Sequence, residues 1–154
     1  MIDINYTATE AANYPMAAAK QGDSGIDLYT TEDVVLYPFT PTLLDHGICV
    51  ECPEGYEWQL RPRSSTLTNR RVHIQLGTLD AAYRGNIKTV AMLMPRYDLM
   101  TESLDLTPIV LKAGEKVSQI VLNSIVPASS INMVKVDSLS ETERGASGFG
   151  STGL

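Results

Sequence analysis

The stretch GTLDAAYRGNIK, residues 77–88, decides how the rest of the chain is read. It carries one acid at Asp80, one ring at Tyr83 and a turn at Arg84-Gly85-Asn86. Apolar residues then resume at Ile87 and continue through Val90, Ala91, Met92 and Leu93. This pattern predicts two short strands joined by a tight turn, with an acid and a ring held beside it. A hairpin edge offers fixed backbone N–H and C=O groups to a planar ligand, and the carboxylate beside it suits activation of a water.

Outward from this stretch the same alternation continues. Ile2, Ile4 and Tyr6 share one face of an expected first strand, followed by strands at 26–30 and 34–37. Further strands are expected around 42–52, 56–61, 72–76, 87–94, 109–111, 117–126 and 131–136. Turn clusters separate them at Pro53-Glu54-Gly55, at 112–115 and at 127–130. Many brief strands without alternating long helices indicate an all-β sandwich or jelly roll. The alanine-rich run 8–19 is interrupted at Tyr14-Pro15 and builds no helical stripe. Residues 64–71 are the best helix candidate, opening with serines suited to N-capping. Residues 95–108 read as an exposed polar loop. From Ser138 the chain is rich in glycine and serine and cannot pack by itself, which divides it into a β domain at 1–137 and a flexible arm at 138–154.

A chain of 154 residues with 44% hydrophobic content is the size of one ordinary globular domain. No apolar run reaches the length of a membrane span, and the N-terminus has no signal-like core, so an intracellular protein with no membrane partner is expected. The net charge of −6 argues against general nucleic-acid binding. An acidic chain that takes a phosphorylated ligand must gather its cations locally or recruit a divalent metal. Cys49 and Cys52 form a single CxxC, too few ligands for a structural zinc, and are expected as free thiols. His46 and His73 receive no catalytic role.

Three further segments have the chemistry of a site. Arg61-Pro-Arg-Ser-Ser65 places two guanidinium groups and two hydroxyls at a helix start, which suits either an anion site or an ordinary capped helix with surface arginines. The tail 144–153 alternates glycines and hydroxyls around Arg144 and Phe149. Backbone N–H groups there can approach phosphate closely, although a flexible tail has the same composition. Asp27 and Gln119 each interrupt an apolar strand and point either to solvent or into a site.

Five segments, in order, resemble the trimeric dUTPases: GIDLY (25–29), RSS (63–65), GTLDAAYRG (77–85), GEKVSQ (114–119) and RGASGFGSTG (144–153). The resemblance runs from about residue 22 to the end, and the third and fifth segments are its most specific parts. It implies a distorted β jelly roll with one short helix, assembled as a homotrimer whose sites draw on all three subunits. The implied activity is hydrolysis of dUTP to dUMP and pyrophosphate, with Asp80 as the base for a water attacking the α-phosphorus. Gly77, Thr78, Leu79, Tyr83, Ile87, Lys88 and Phe149 are implied in nucleoside binding. Arg63, Ser64, Ser65, Gln119, Arg144, Gly150, Ser151 and Thr152 are implied in phosphate binding, and Asp27 would meet Mg²⁺ through water.

The chain departs from the family pattern at Ile74, where many relatives carry asparagine, and its 95–108 loop is longer than in compact members. That loop motivates a second reading, a nucleotide-gated contact with a regulatory protein. A third, dCTP deaminase on the same fold, would need a pocket glutamate that the 77–88 stretch does not supply.

Overall fold

Short alternating strands cannot bury both faces, so they pair into several small sheets around shared cores. The computed structural model of the protein describes residues 2–18 and 20–146. Its strands are β1 (Tyr6–Ala8), β2 (Ile26–Tyr29), β3 (Val34–Leu36), β4 (Thr42–Asp45), β5 (Ile48–Val50), β6 (Tyr56–Pro62), β7 (Val72–Ile74), β8 (Gly77–Leu79), β9 (Lys88–Leu93), β10 (Arg96–Asp98), β11 (Ser103–Asp105), β12 (Ile109–Leu111) and β13 (Lys116–Ser124). One helix, α1 (Ser64–Arg70), follows β6. The largest sheet has the order β2-β13-β6-β8, a second has β4-β9-β7, and β1-β5, β12-β3 and β10-β11 pair separately. The fold is the expected all-β class, a distorted jelly roll with one short helix.

Inward residues form two apolar clusters. Leu28, Ile48, Trp58, Leu60, Ile87 and Ile120 build the first, and Leu36, Leu44, Val72, Ile74, Leu93, Leu111 and Val117 the second. The polar residues buried with them are satisfied. His46 bonds the Tyr29 carbonyl at 2.7 Å and the Thr89 hydroxyl at 2.9 Å, and Thr66 donates to the Val117 carbonyl at 3.0 Å. Burial holds the His46 imidazole below its ordinary range, partly offset by the Tyr29 carbonyl and by Asp45. The bonds to Tyr29 and Thr89 tie β2 to β9 through the imidazole. Cys49 and Cys52 are free thiols.

Several expectations need correction. Residues 77–88 are not a hairpin, because β8 pairs with β6 whereas β9 pairs with β4 and β7, so the segment between them crosses from one sheet to another. Residues 95–108 are not a plain loop: β10 and β11 form a hairpin closed by the Asp98 carboxylate, which accepts the Met100 and Thr101 amides at 2.8 and 3.4 Å. The 131–136 strand is absent, since among the described residues that segment finds no sheet edge to join and lies exposed. The 42–52 strand breaks at His46-Gly47, where Gly47 takes a φ of +64°. β1 begins only at Tyr6, so Ile2 and Ile4 precede it; Ile4 and Tyr6 line one small pocket over the first cluster, while Ile2 is about half exposed. Ser64 and Ser65 lie inside the first turn of α1 rather than capping it; Arg63 occupies the cap position, with no side-chain capping bond.

Candidate active site

Residues directly opposite each other in a sheet share a face. Gln119 on β13 stands opposite Asp27 on β2 and opposite Arg61 on β6, so the three form one row across the largest sheet. A cavity of about 550 Å³ opens over this row, lined by Lys20, Asp23, Ser24, Gly25, Asp27, Arg61, Arg63, Ser64, Lys116, Gln119 and Val121. Four of these side chains are cationic and two are carboxylates, which leaves a net charge of +2 in a chain of −6. Local concentration of cations is what binding a polyanion here requires.

The side chains of this cleft hold one another in place. Asp27 pairs with Arg63 Nε at 2.8 Å through one oxygen and with Lys116 Nζ at 2.9 Å through the other. Asp27 also raises the Lys116 ammonium above the ordinary lysine value. Gln119 donates from Nε2 to the Pro62 carbonyl at 2.9 Å. Its amide lies so close to Gly25 that a Cβ there would collide with Oε1. Arg61 donates to Gln59 Oε1 from Nε at 3.0 Å and from Nη2 at 2.5 Å, with a longer bond from Nη2 to Asn123 Oδ1 at 3.4 Å. Ser64 lines the cleft, and Ser65 follows it, partly buried, in the first turn of α1.

The Asp80–Lys88 segment is a second, separate group. β8 is the edge strand of its sheet, so the outer backbone groups of Gly77, Thr78 and Leu79 have no sheet partner. Gly77 and Thr78 line a cavity of about 500 Å³ with Gln59, Leu60, Arg61 and Leu76. Asp80 is exposed, and its carbonyl accepts the Tyr83 amide at 2.9 Å, closing a turn. The Tyr83 hydroxyl donates to the Asn86 carbonyl at 2.9 Å, and Arg84 donates to the carbonyls of Ala81 and Tyr83 at 2.7 and 2.8 Å. Asn86 accepts the Cys49 thiol at 3.1 Å.

Ile87 is fully buried; its N–H donates to Ile48 and its carbonyl accepts from His46, so it braces the loop from behind. Lys88 is exposed at the start of β9 and pairs with Asp45 at 3.5 Å. Ile74 is buried in the second cluster, which removes its side chain from any ligand contact.

The structure therefore brings Asp27, Arg63, Ser64 and Gln119 together, and places Gly77 and Thr78 on a neighbouring cavity that shares Arg61 with the first. Asp80 and Tyr83 line neither cavity. Arg144 is exposed, and Phe149, Gly150, Ser151 and Thr152 lie outside the described residues. Sequence reasoning missed Lys20 and Lys116. The register of β13 slips between Lys116 and Ser118, so simple alternation does not place Lys116 beside Gln119. No group of three or more His, Cys, Asp or Glu able to hold a metal occurs among the described residues.

The family model for dUTPase matches residues 13–153. The chain belongs to the dUTPase family. Deoxyuridine 5'-triphosphate nucleotidohydrolase of Hydrogenobaculum sp. is 38% identical over 139 residues, covering 88% of each chain. The enzyme of the same name from Caldanaerobacter subterraneus is 34% identical over 150 residues, covering 94% of this chain and 93% of its own. Among solved structures, a mutant dUTPase of Staphylococcus bacteriophage 80alpha with dUpNHpp shares the fold at a TM-score of 0.82 and 24% identity, with both chains fully covered. A mutant dUTPase of phage phi11, described as revealing coordination of a structural Mg(II) ion, superposes at 0.75 with 22% identity over 91% of this chain and all of its own. In this dUTPase-family chain Gly25, Asp27, Arg63, Ser64, Lys116 and Gln119 line the net-positive cleft, and Gly77 and Thr78 the neighbouring cavity.

Proposed function

We propose that the chain is a dUTP diphosphatase, hydrolysing dUTP to dUMP and pyrophosphate by attack of water on the α-phosphorus. The observation that carries this reading is the net-positive cleft over Asp27, Gln119 and Arg61 in a member of the dUTPase family. Arg63, Ser64, Ser65 and Gln119 hold the triphosphate there, with Arg144 clamping its far end. The outer edge of β8, at Gly77, Thr78 and Leu79, reads the uracil through backbone groups together with Lys88. Tyr83 lies against the sugar; its ring is pinned by Asn86, so it cannot retreat from a ribose 2′-hydroxyl. Asp80 takes the proton of the attacking water as general base, and a correctly placed base contributes about 10²–10⁴-fold. The arm from residue 138, with Phe149, Gly150, Ser151 and Thr152, closes over the ligand and excludes other water.

The donor set fits Mg²⁺ carried by the phosphates. Asp27 and Asp23 both line the cleft, and a hard octahedral cation is commonly held by one or two carboxylates, waters and substrate phosphates rather than by an all-protein cage. Bound in this way, Mg²⁺ supplies charge neutralisation to the triphosphate. Asp80 and Tyr83 lie outside the cleft of their own chain, which supports a homotrimer whose sites combine groups from different copies. The exposed residues Ile131, Met133, Val134 and Val136 support the same assembly, because a contiguous run of exposed apolar side chains suits a partner surface. No helix among the described residues is long and apolar enough to cross a membrane. We place the enzyme in the cytoplasm, with the nucleotide pool.

A nucleotide panel tests the reading. Pyrophosphate release is expected from dUTP with Mg²⁺, with little from dTTP, dCTP or UTP and much less after chelation. Ammonia released from dCTP would support the deaminase instead, and inert dUTP would contradict the proposal. A second role is favoured by the β10–β11 hairpin, whose tip exposes Leu99 at 82% and Met100 at 93%. Such a tip suits contact with a regulatory protein, tested by pull-down with and without dUpNHpp.

A further inference from the structure

We propose that Lys116 is a positioning residue of the triphosphate cleft, acting through Asp27 to keep Arg63 available to phosphate. The inference rests on the dUTP reading and deepens it. The bulge in β13 places Val117 and Ser118 both inward, which leaves Lys116 and Gln119 together on the cleft face although they are three positions apart. Lys116 stands opposite Tyr29 on β2, with its ammonium 5.5 Å from the centre of the ring, and Tyr29 stacks on Tyr14 at 4.3 Å. The ring and the bulge together fix where the ammonium sits.

The geometry at Asp27 shows what that placement does. One carboxylate oxygen receives Lys116 Nζ at 2.9 Å, and the other receives Arg63 Nε at 2.8 Å. Arg63 meets Asp27 through its Nε, and its Nη1 donates a long hydrogen bond to the Lys116 carbonyl at 3.4 Å. In this proposal Nη2, and Nη1 when its long bond yields, serve the anion. A guanidinium facing a carboxylate with both oxygens free prefers a two-bond fork that engages a terminal nitrogen as well. Lys116 occupies the second oxygen and blocks that fork. It also keeps the carboxylate neutralised beside an incoming polyanion.

The test compares Lys116→Met with Lys20→Met, which removes an equal charge from the same cleft without touching Asp27. Lys116→Met is expected to raise the KM for dUTP about tenfold or more, with kcat within about twofold of the parent. Lys116→Arg, which can still take the second oxygen, should restore most of the loss. Calorimetric binding of dUpNHpp supplies a readout independent of turnover. The defect of Lys20→Met, a loss of charge alone, should fade at high salt, and that of Lys116→Met should persist because salt does not return Arg63 to its place. Thermal midpoints should stay close to the parent's.

If the two methionine variants behave alike and both defects vanish with salt, Lys116 is only a surface charge and the inference fails while the dUTP reading stands. A lowered KM in Lys116→Met also overturns it. A parent that neither binds dUpNHpp nor hydrolyses dUTP overturns both.

Discussion

A Cβ on Gly85 would stand 2.5 Å from the Tyr83 hydroxyl oxygen and 2.7 Å from the carbon that bears it. The ring therefore rests against a position that only glycine leaves open, while its hydroxyl bonds the Asn86 carbonyl. Gly85→Ala must push the ring out of place. We expect kcat/KM for dUTP to fall about tenfold or more, because a displacement near 1 Å at a positioning group has effects of that size. Discrimination against UTP should weaken in the same variant. Steady-state kinetics on both nucleotides checks this, and the thermal midpoint should change little because the loop is exposed.

Burial of His46 makes a prediction about acid. Its imidazole is held below the ordinary value near 6.5 in the folded chain, so the unfolded chain binds the proton first as pH falls. The stabilising contribution is complete above that value and is lost as pH falls from it toward the lower folded value. Thermal midpoints measured downward from about pH 7.5 should decline in this window. His46→Gln should lower the midpoint at neutral pH and flatten the decline; an unchanged slope would show that other groups set it.

The separation of Asp80 from the Arg63 cleft predicts complementation. The Asp80→Asn and Arg63→Ala variants should each be nearly inactive. Refolding an equal mixture should recover about a quarter of parental activity if each site takes Asp80 from one copy and Arg63 from another, since random assembly leaves that fraction of sites intact. No recovery would place both groups of a site in one chain.

Much of the fold was legible because burial follows alternation wherever a strand has regular neighbours. β6 and β13 show this, with Trp58, Leu60 and Ile120 inward, Arg61 and Gln119 toward the cleft and Gln59 toward the neighbouring cavity. Three features escaped for identifiable reasons. The segment 77–88 has the local pattern of a hairpin, but its strand partners are distant in sequence. The β10–β11 turn contains neither glycine nor proline and is made instead by the Asp98 side chain. Lys116 sits at a bulge, where counting by twos fails. Of the candidate site, the residues carrying specific motifs were recoverable. Their mutual placement was not, because it depends on which sheet each strand joins and on how copies assemble.

In the proposed reaction Asp80 activates the attacking water. The most direct measurement is single-turnover hydrolysis of dUTP by Asp80→Asn, with dUpNHpp affinity measured on the same sample. The amide keeps the shape of the side chain but cannot take the proton. The rate should fall about 10²–10⁴-fold with affinity within a few-fold of the parent. Hydrolysis at the parental rate would contradict that role.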